Sequence, residues 1–208
     1  MKILICDDHK IIREGLRQIL CQLPEITQIS EAGNGIEALD LLKKDDFTIL
    51  LLDISLPDKS GLDILQIVKA KWPLINVLML SMFPQEQYAI RSLKLGASGY
   101  LTKDTALEEL LLAVKKVSVG GKYISNALAE GMAINLGKDN YANKHDCLSG
   151  REFEILIKIA NGKSLQEIGN ELFISVKTVS TYRSRIMDKM ELSRNTELAR
   201  YCIENKLI

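Results

Sequence analysis

Phe47-Thr48-Ile49-Leu50-Leu51-Leu52-Asp53-Ile54-Ser55-Leu56-Pro57 is the stretch on which the fold turns. Thr48 to Leu52 are apolar or β-branched without interruption, the pattern of a strand buried on both faces, as parallel strands covered by helices are. The run ends on a carboxylate, and Pro57 marks the loop that follows. In open α/β sheets ligands bind in the crevice at the carboxyl ends of the strands, where such an aspartate stands. An aspartate can equally close a strand and open a turn, so the neighbouring segments decide.

Outward from this stretch, apolar runs alternate with amphipathic ones. Strands are expected near 2–7, 26–32, 47–53, 75–81 and 98–101, and helices near 10–22, 35–44, 60–71, 86–94 and 106–118. Gly33, Gly35, Gly61, Gly96 and Gly99 punctuate the joints. Five βα units predict a doubly wound, five-stranded parallel sheet with helices on both faces over residues 1–120.

That topology would bring particular side chains to one rim. Asp7 and Asp8 follow the first strand, Asp53 ends the third, Ser81 ends the fourth and Lys103 lies just past the fifth. Three crowded carboxylates repel one another unless a cation is present. A hard divalent ion, Mg2+ by preference, suits a half-protein site of oxygen ligands; His9 beside the acids is set aside because Mg2+ prefers oxygen. A carboxylate beside such an ion can attack a phosphoryl group, whose oxygens an ammonium and a hydroxyl would position.

Asp7-Asp8, Asp53 followed by Leu56-Pro57 and Gly61, then Ser81, Tyr100 and Lys103, resemble the receiver domain of bacterial two-component response regulators, a flavodoxin-like fold. The resemblance implies that Asp53 accepts the phosphoryl group from a sensor histidine kinase. It implies that Mg2+ is held by Asp8, Asp53 and the backbone carbonyl of Ser55, with Asp7 acting indirectly. Lys103 and Ser81 would bind the phosphoryl group, and Tyr100 would change rotamer in response. Asp104 stands where many receivers have proline. Phosphatases with a strand-end aspartate nucleophile carry a second aspartate two residues on; here that position is Ser55, so turnover of a foreign phosphoester is not expected, and the chain is not read as an enzyme.

Residues 121–147 read as a connector. Gly120-Gly121 closes the preceding helix, a short helix is expected over 126–136, and the polar stretch 137–146, His145 included, reads as solvated linker. Beyond it, Ser149-Gly-Arg-Glu152 and Ser164-Leu-Gln-Glu167 both fit the capping box, and Ser175 and Ser193 can cap two more helices. Helices are expected over 150–161, 165–172, 176–190 and 194–205, giving an all-α unit over 148–208. The second and third are separated by Phe173-Ile174-Ser175, the tight turn of a helix-turn-helix, whose second helix enters the DNA major groove. On that helix Val176, Val179, Tyr182, Ile186 and Met190 gather on the side expected to face the core. Lys177, Thr181, Ser184 and Asp188 lie opposite, with Ser180 and Arg185 at the flanks. Its cations Lys177, Arg183, Arg185 and Lys189 outnumber Asp188 alone.

These segments resemble the LuxR-type DNA-binding domain, and the whole chain is similar to response regulators of the NarL/FixJ type. The resemblance implies base contacts by Ser180, Thr181 and Ser184, phosphate contacts by Lys177, Arg183, Arg185 and Lys189, and a homodimer on promoter half-sites of double-stranded DNA, with the last helix as dimer contact. Many members carry a lysine where this chain has Ser180. Bulk charge is uninformative: residues 1–120 hold 14 Lys/Arg against 16 Asp/Glu, and 148–208 hold 10 against 8. The 208 residues are 47% hydrophobic and 26% charged, contain no run long enough for a membrane helix, and begin without a signal-peptide pattern, so a cytoplasmic protein is expected. The scattered Cys6, Cys21, Cys147 and Cys202 have no metal-ligand spacing.

Overall fold

A computed structural model describes residues 1–82, 86–125, 129 and 143–208, with the side chains of 86 and 105–108 also left aside. The chain divides into two compact units, residues 1–137 and 138–208. The helix expected over 126–136 lies outside the described residues.

In the first unit the elements run β1 (Lys2–Cys6), α1 (Lys10–Leu20), β2 (Gln28–Ala32), α2 (Gly35–Lys44), β3 (Ile49–Asp53), α3 (Gly61–Lys71), β4 (Asn76–Ser81), α4 (Glu86–Lys94), β5 (Gly99–Thr102) and α5 (Lys103–Ser118). The five strands are ordered β2-β1-β3-β4-β5, every neighbouring pair parallel. All five residues of β3 are buried, as the continuous apolar run requires of a central strand. Its odd members Ile49 and Leu51 join Ile3, Ile5, Leu78 and Leu80 beneath Leu16, Leu20, Leu110 and Val114 of α1 and α5. Leu50 and Leu52 point to the other face and are fully buried too. Each such leucine contributes about 1.5–3 kcal/mol of burial.

Successive strands lie on opposite sides of β1, so the strand order reverses between β1 and β3. This reversal opens a crevice at the carboxyl ends of those two strands. Gly61 sets the crevice floor: a Cβ there would lie 2.0 Å from the Asp53 carbonyl oxygen, and its N–H donates to Ile54 O at 2.7 Å. No side chain larger than hydrogen lets α3 begin so close to the end of β3.

In the second unit a 3-10 turn (Lys144–Cys147) precedes α6 (Gly150–Ala160), α7 (Leu165–Glu171), α8 (Val176–Met190) and α9 (Asn195–Glu204). Both expected capping boxes form, Ser149 with Glu152 and Ser164 with Glu167, and Ser175 caps α8 by accepting from Thr178 N. Ser193 does not cap α9. Instead the N–H groups of Ser193 and Arg194 both donate to Glu197 Oε2. The helices end alike, each by a left-handed residue followed by a bond back to a carbonyl five residues earlier: Lys163 N to Lys158 O, Ile174 N to Gly169 O, Leu192 N to Met187 O and Leu207 N to Cys202 O. The left-handed position is glycine only at Gly162; elsewhere it is Phe173, Glu191 and Lys206, with φ of 54° to 55°.

Two further expectations are corrected. His145 is not solvated linker. It is 6% exposed, its Nδ1 lies 2.9 Å from the Tyr201 hydroxyl, and its ring packs against Phe153 and Tyr201. A polar local sequence hid it because its partner lies on α9. Val176, read as core, is exposed: it opens α8 one turn before the helix reaches the packed layer of Val179, Ile186, Met187 and Met190.

Candidate functional site

The crevice between β1 and β3 gathers the acidic residues. Asp7 and Asp53 are 0% and 2% exposed, and Lys103, the first residue of α5, reaches between them. Its Nζ lies 2.7 Å from Asp7 Oδ2 and 2.8 Å from Asp53 Oδ2. Burial pushes the Asp53 carboxyl up to about 7; Lys103 opposes that shift and Asp7 adds to it. Burial works against the Lys103 charge, but the Asp53 and Asp7 carboxylates outweigh it and hold the ammonium above its ordinary range. Asp53 Oδ1 accepts from Ser55 N at 3.3 Å.

The turn carrying Asp7 and Asp8 is fixed by groups the sequence reading set aside or passed over. His9 N donates to Asp7 Oδ1 at 2.8 Å, and the His9 Nδ1 lies 2.7 Å from Asp8 Oδ1. Arg13, one turn into α1, donates to the Asp7 carbonyl at 2.6 Å and to Glu31 Oε2 at 3.2 Å. Its spacing after the acidic pair was the available signal. Asp58, in the loop after β3, accepts from Gly35 N at 3.0 Å and Ile36 N at 2.7 Å, so this loop is tied to the first turn of α2.

One oxygen from each of Asp7, Asp8 and Asp53, with a ring nitrogen of His9, lie within 4.8 Å of one another. Three carboxylates gather with a single lysine, and Asp8 Oδ1 is met by the His9 ring nitrogen at 2.7 Å. A compact oxygen-rich set with a surplus of negative charge fits a hard divalent cation. The peptide bond between Lys103 and Asp104 is trans, like the others among the described residues.

Ser81 and Tyr100 lie on adjacent strands, 1% and 3% exposed. Burial pushes the Tyr100 hydroxyl up to about 12; a hydrogen bond with Ser81 pulls the other way, and the Asp53 charge adds to the rise. Tyr100 is therefore packed and bonded to Ser81.

The second cluster is the outer face of α8. Lys177, Thr181, Ser184 and Arg185 are exposed, Ser180 and Arg183 half-buried. Thr181 and Ser184 donate their hydroxyl protons back to Lys177 O and Ser180 O, leaving oxygen lone pairs outward. The Arg185 guanidinium stands 6.0 Å from the Tyr182 ring centre. The four cations are not equivalent. Arg183 Nε donates to Asn195 Oδ1 at 2.6 Å, tying α8 to α9. Lys189 Nζ lies 2.6 Å from Glu152 Oε2, the carboxylate that also accepts from Ser149 N at the start of α6. Gly169 lets the turn close tightly, since a Cβ there would sit 2.8 Å from Ile174 O.

Comparisons with known proteins match both units of the chain. Residues 3–115 match the model of the response regulator receiver domain, and residues 146–202 match that of the bacterial regulatory proteins of the luxR family. The oxygen regulatory protein NreC of Staphylococcus epidermidis is 35% identical over 216 residues, spanning 100% of this chain and 99% of that protein. The RcsB response regulator of Salmonella typhimurium superposes with a TM-score of 0.61 at 26% identity, covering 97% of each chain. A structure of two RcsB dimers bound to two parallel DNAs gives a TM-score of 0.64 at 25% identity, with the same coverage. Among the described residues no helix is long and apolar enough to cross a membrane. The chain therefore belongs to the bacterial response regulators that join a receiver domain to a LuxR-type DNA-binding domain.

Proposed function

We propose that Asp53 accepts a phosphoryl group from a sensor histidine kinase and that the modified protein dimerises on promoter DNA to regulate transcription in the cytoplasm. The observation that carries the proposal is the buried Lys103 ammonium bridging Asp7 and Asp53 at the crevice between β1 and β3. In the transfer, an Asp53 oxygen attacks phosphorus, the bond to the donor imidazole nitrogen breaks, and the imidazole leaves. Lys103 stands where it can pair with the incoming phosphoryl oxygens once Asp53 is esterified, and Ser81 can donate to another of them. Asp8, Asp53 and the Ser55 carbonyl would hold Mg2+, with Asp7 acting indirectly; the ion would keep Asp53 ionised and offset phosphoryl charge. Movement of Ser81 toward the phosphoryl group would release Tyr100 to a new rotamer.

On DNA, Ser180, Thr181 and Ser184 face base edges while Lys177 and Arg185 reach phosphates. Arg183 and Lys189 serve mainly to hold α8 on its neighbours. NreC is named as an oxygen regulatory protein, and one RcsB structure holds two dimers bound to two parallel DNAs; family membership supports the same class of output here, without fixing the stimulus. The domain limits we propose are 1–120 for the receiver, 121–147 for a linker and 148–208 for the DNA-binding domain.

Radiolabel transfer from a small phosphodonor tests this. Wild type incorporates label only with Mg2+, and Asp53→Asn incorporates at least about a hundredfold less, since the nucleophile is gone. Equal labelling of Asp53→Asn would refute the acceptor assignment.

A further inference from the structure

After α5 the chain doubles back instead of leaving the sheet. Gly120, at φ +82°, ends the helix, and Gly121 N donates to Lys116 O at 3.0 Å. Tyr123 then lies alongside Gly99 as a parallel bridge on the open edge of β5. Its N–H donates to Ser98 O at 2.9 Å, and its carbonyl accepts from Tyr100 N at 3.2 Å. The close approach depends on Gly99, where a Cβ would lie 2.5 Å from Tyr123 O. The Tyr123 ring is 6% exposed, its hydroxyl donates to Glu109 Oε2 at 2.8 Å, and Lys116 Nζ sits 5.9 Å from the ring centre. Tyr100 thus has two attachments: its side chain bonds to Ser81, and its main chain bonds to this strap.

We infer that the Tyr123 strap is part of the phosphorylation switch, with Tyr123 as a positioning residue that couples Tyr100 to the chain leading toward the DNA-binding domain. The inference rests on Asp53 being the phosphoacceptor. A rotamer change at Tyr100, a buried residue of β5, shifts the local backbone of that strand. The Tyr100 N–H to Tyr123 O bond is the first contact outside the sheet to feel that shift. Coupling of this kind is reciprocal: a strap that senses the phosphoryl group must also change the affinity for it by the same factor.

The test uses the full chain with Mg2+ and beryllofluoride as the phosphoryl mimic. Hydrogen exchange at the Tyr100 and Tyr123 amides is expected to change about fivefold or more on addition of the mimic. Tyr123→Ala is expected to change the beryllofluoride dissociation constant by a similar factor, while Tyr123→Phe, which keeps ring and backbone pairing, stays near wild type. A purely structural strap would lower melting temperature without moving that constant. Protection of residues 49–56 by the mimic with unchanged exchange at Tyr100 and Tyr123 overturns the inference, as does unchanged affinity in a folded Tyr123→Ala. If Tyr123→Ala fails to fold, the wild-type exchange experiment decides alone. No protection at 49–56 overturns the acceptor proposal itself, and the inference with it.

Discussion

The two units use charge in opposite ways. In the receiver the functional groups are buried and hold one another: Asp7, Asp53 and Lys103 are each within a few per cent of full burial and meet at 2.7–2.8 Å. In the DNA-binding unit they stand on an open face, where Arg183 and Lys189 reach to neighbouring helices. Charge in a dry pocket is strong, local and intolerant of loss. Charge on an open face is weak for each group, additive and screened by salt. The same residue types therefore act as a chemical trap in one unit and as a landing surface in the other.

The sharpest break in this contrast comes from Lys103→Met. It removes the shared cation and leaves two buried carboxylates facing each other, which costs about 3 kcal/mol of stability in denaturant titrations without divalent ions. Added Mg2+ restores much of the loss. Unchanged stability would mean the pocket is wetter than its burial indicates.

The open face predicts a smaller, salt-graded effect. Lys177→Ala with Arg185→Ala weakens DNA binding about tenfold and flattens the plot of log affinity against log salt by about 2. A pair that changes neither would remove α8 as the reading helix.

Lys189→Ala separates landing from holding. We expect a stability loss of about 1 kcal/mol, because Glu152 is left without its ammonium partner, and little change in salt dependence. Burial raises the Glu152 carboxyl, but hydrogen bonds from Lys189 and Ser149 outweigh it and hold it below its ordinary 4.5. A depressed folded value means the contribution is complete above the ordinary range and is lost as pH falls through the lower folded value. The wild-type advantage over Lys189→Ala should therefore shrink on acidification below about 4.5. A steep loss of DNA salt dependence instead would return Lys189 to the phosphate-contacting set.

The smallest effect is a gain. Phe173 holds a left-handed backbone at φ 54° while 74% exposed. Phe173→Gly should raise stability by about 0.5–1 kcal/mol, since little burial is lost and the Cβ strain disappears. A loss of that size would show that the exposed ring has a packing role.

Most of the fold was legible because its signals are local. The unbroken run into Asp53 specified a central strand, and the Ser-x-x-Glu pairs specified where α6 and α7 begin. The acidic rim followed from strand order alone. What escaped depends on partners distant in sequence: the Tyr201 hydroxyl behind His145, the Glu152 carboxylate beneath Lys189, and the Asn195 amide on Arg183. Helical periodicity also assigns a stripe without saying where along it packing starts, so Val176 was placed in the core although it precedes the packed layer. Tyr123 escaped because a lone bridging residue has no periodicity to detect.

The Tyr123 bridge bears on solubility as well as signalling. β5 is an outer strand, and an outer strand with free N–H and C=O groups is a template for pairing with other chains. Tyr123 occupies that template from Ser98 to Tyr100. A receiver fragment trimmed at the end of α5 would expose it and invite edge-to-edge association. A fragment that ends beyond residue 123 carries its own edge guard and is the one to express.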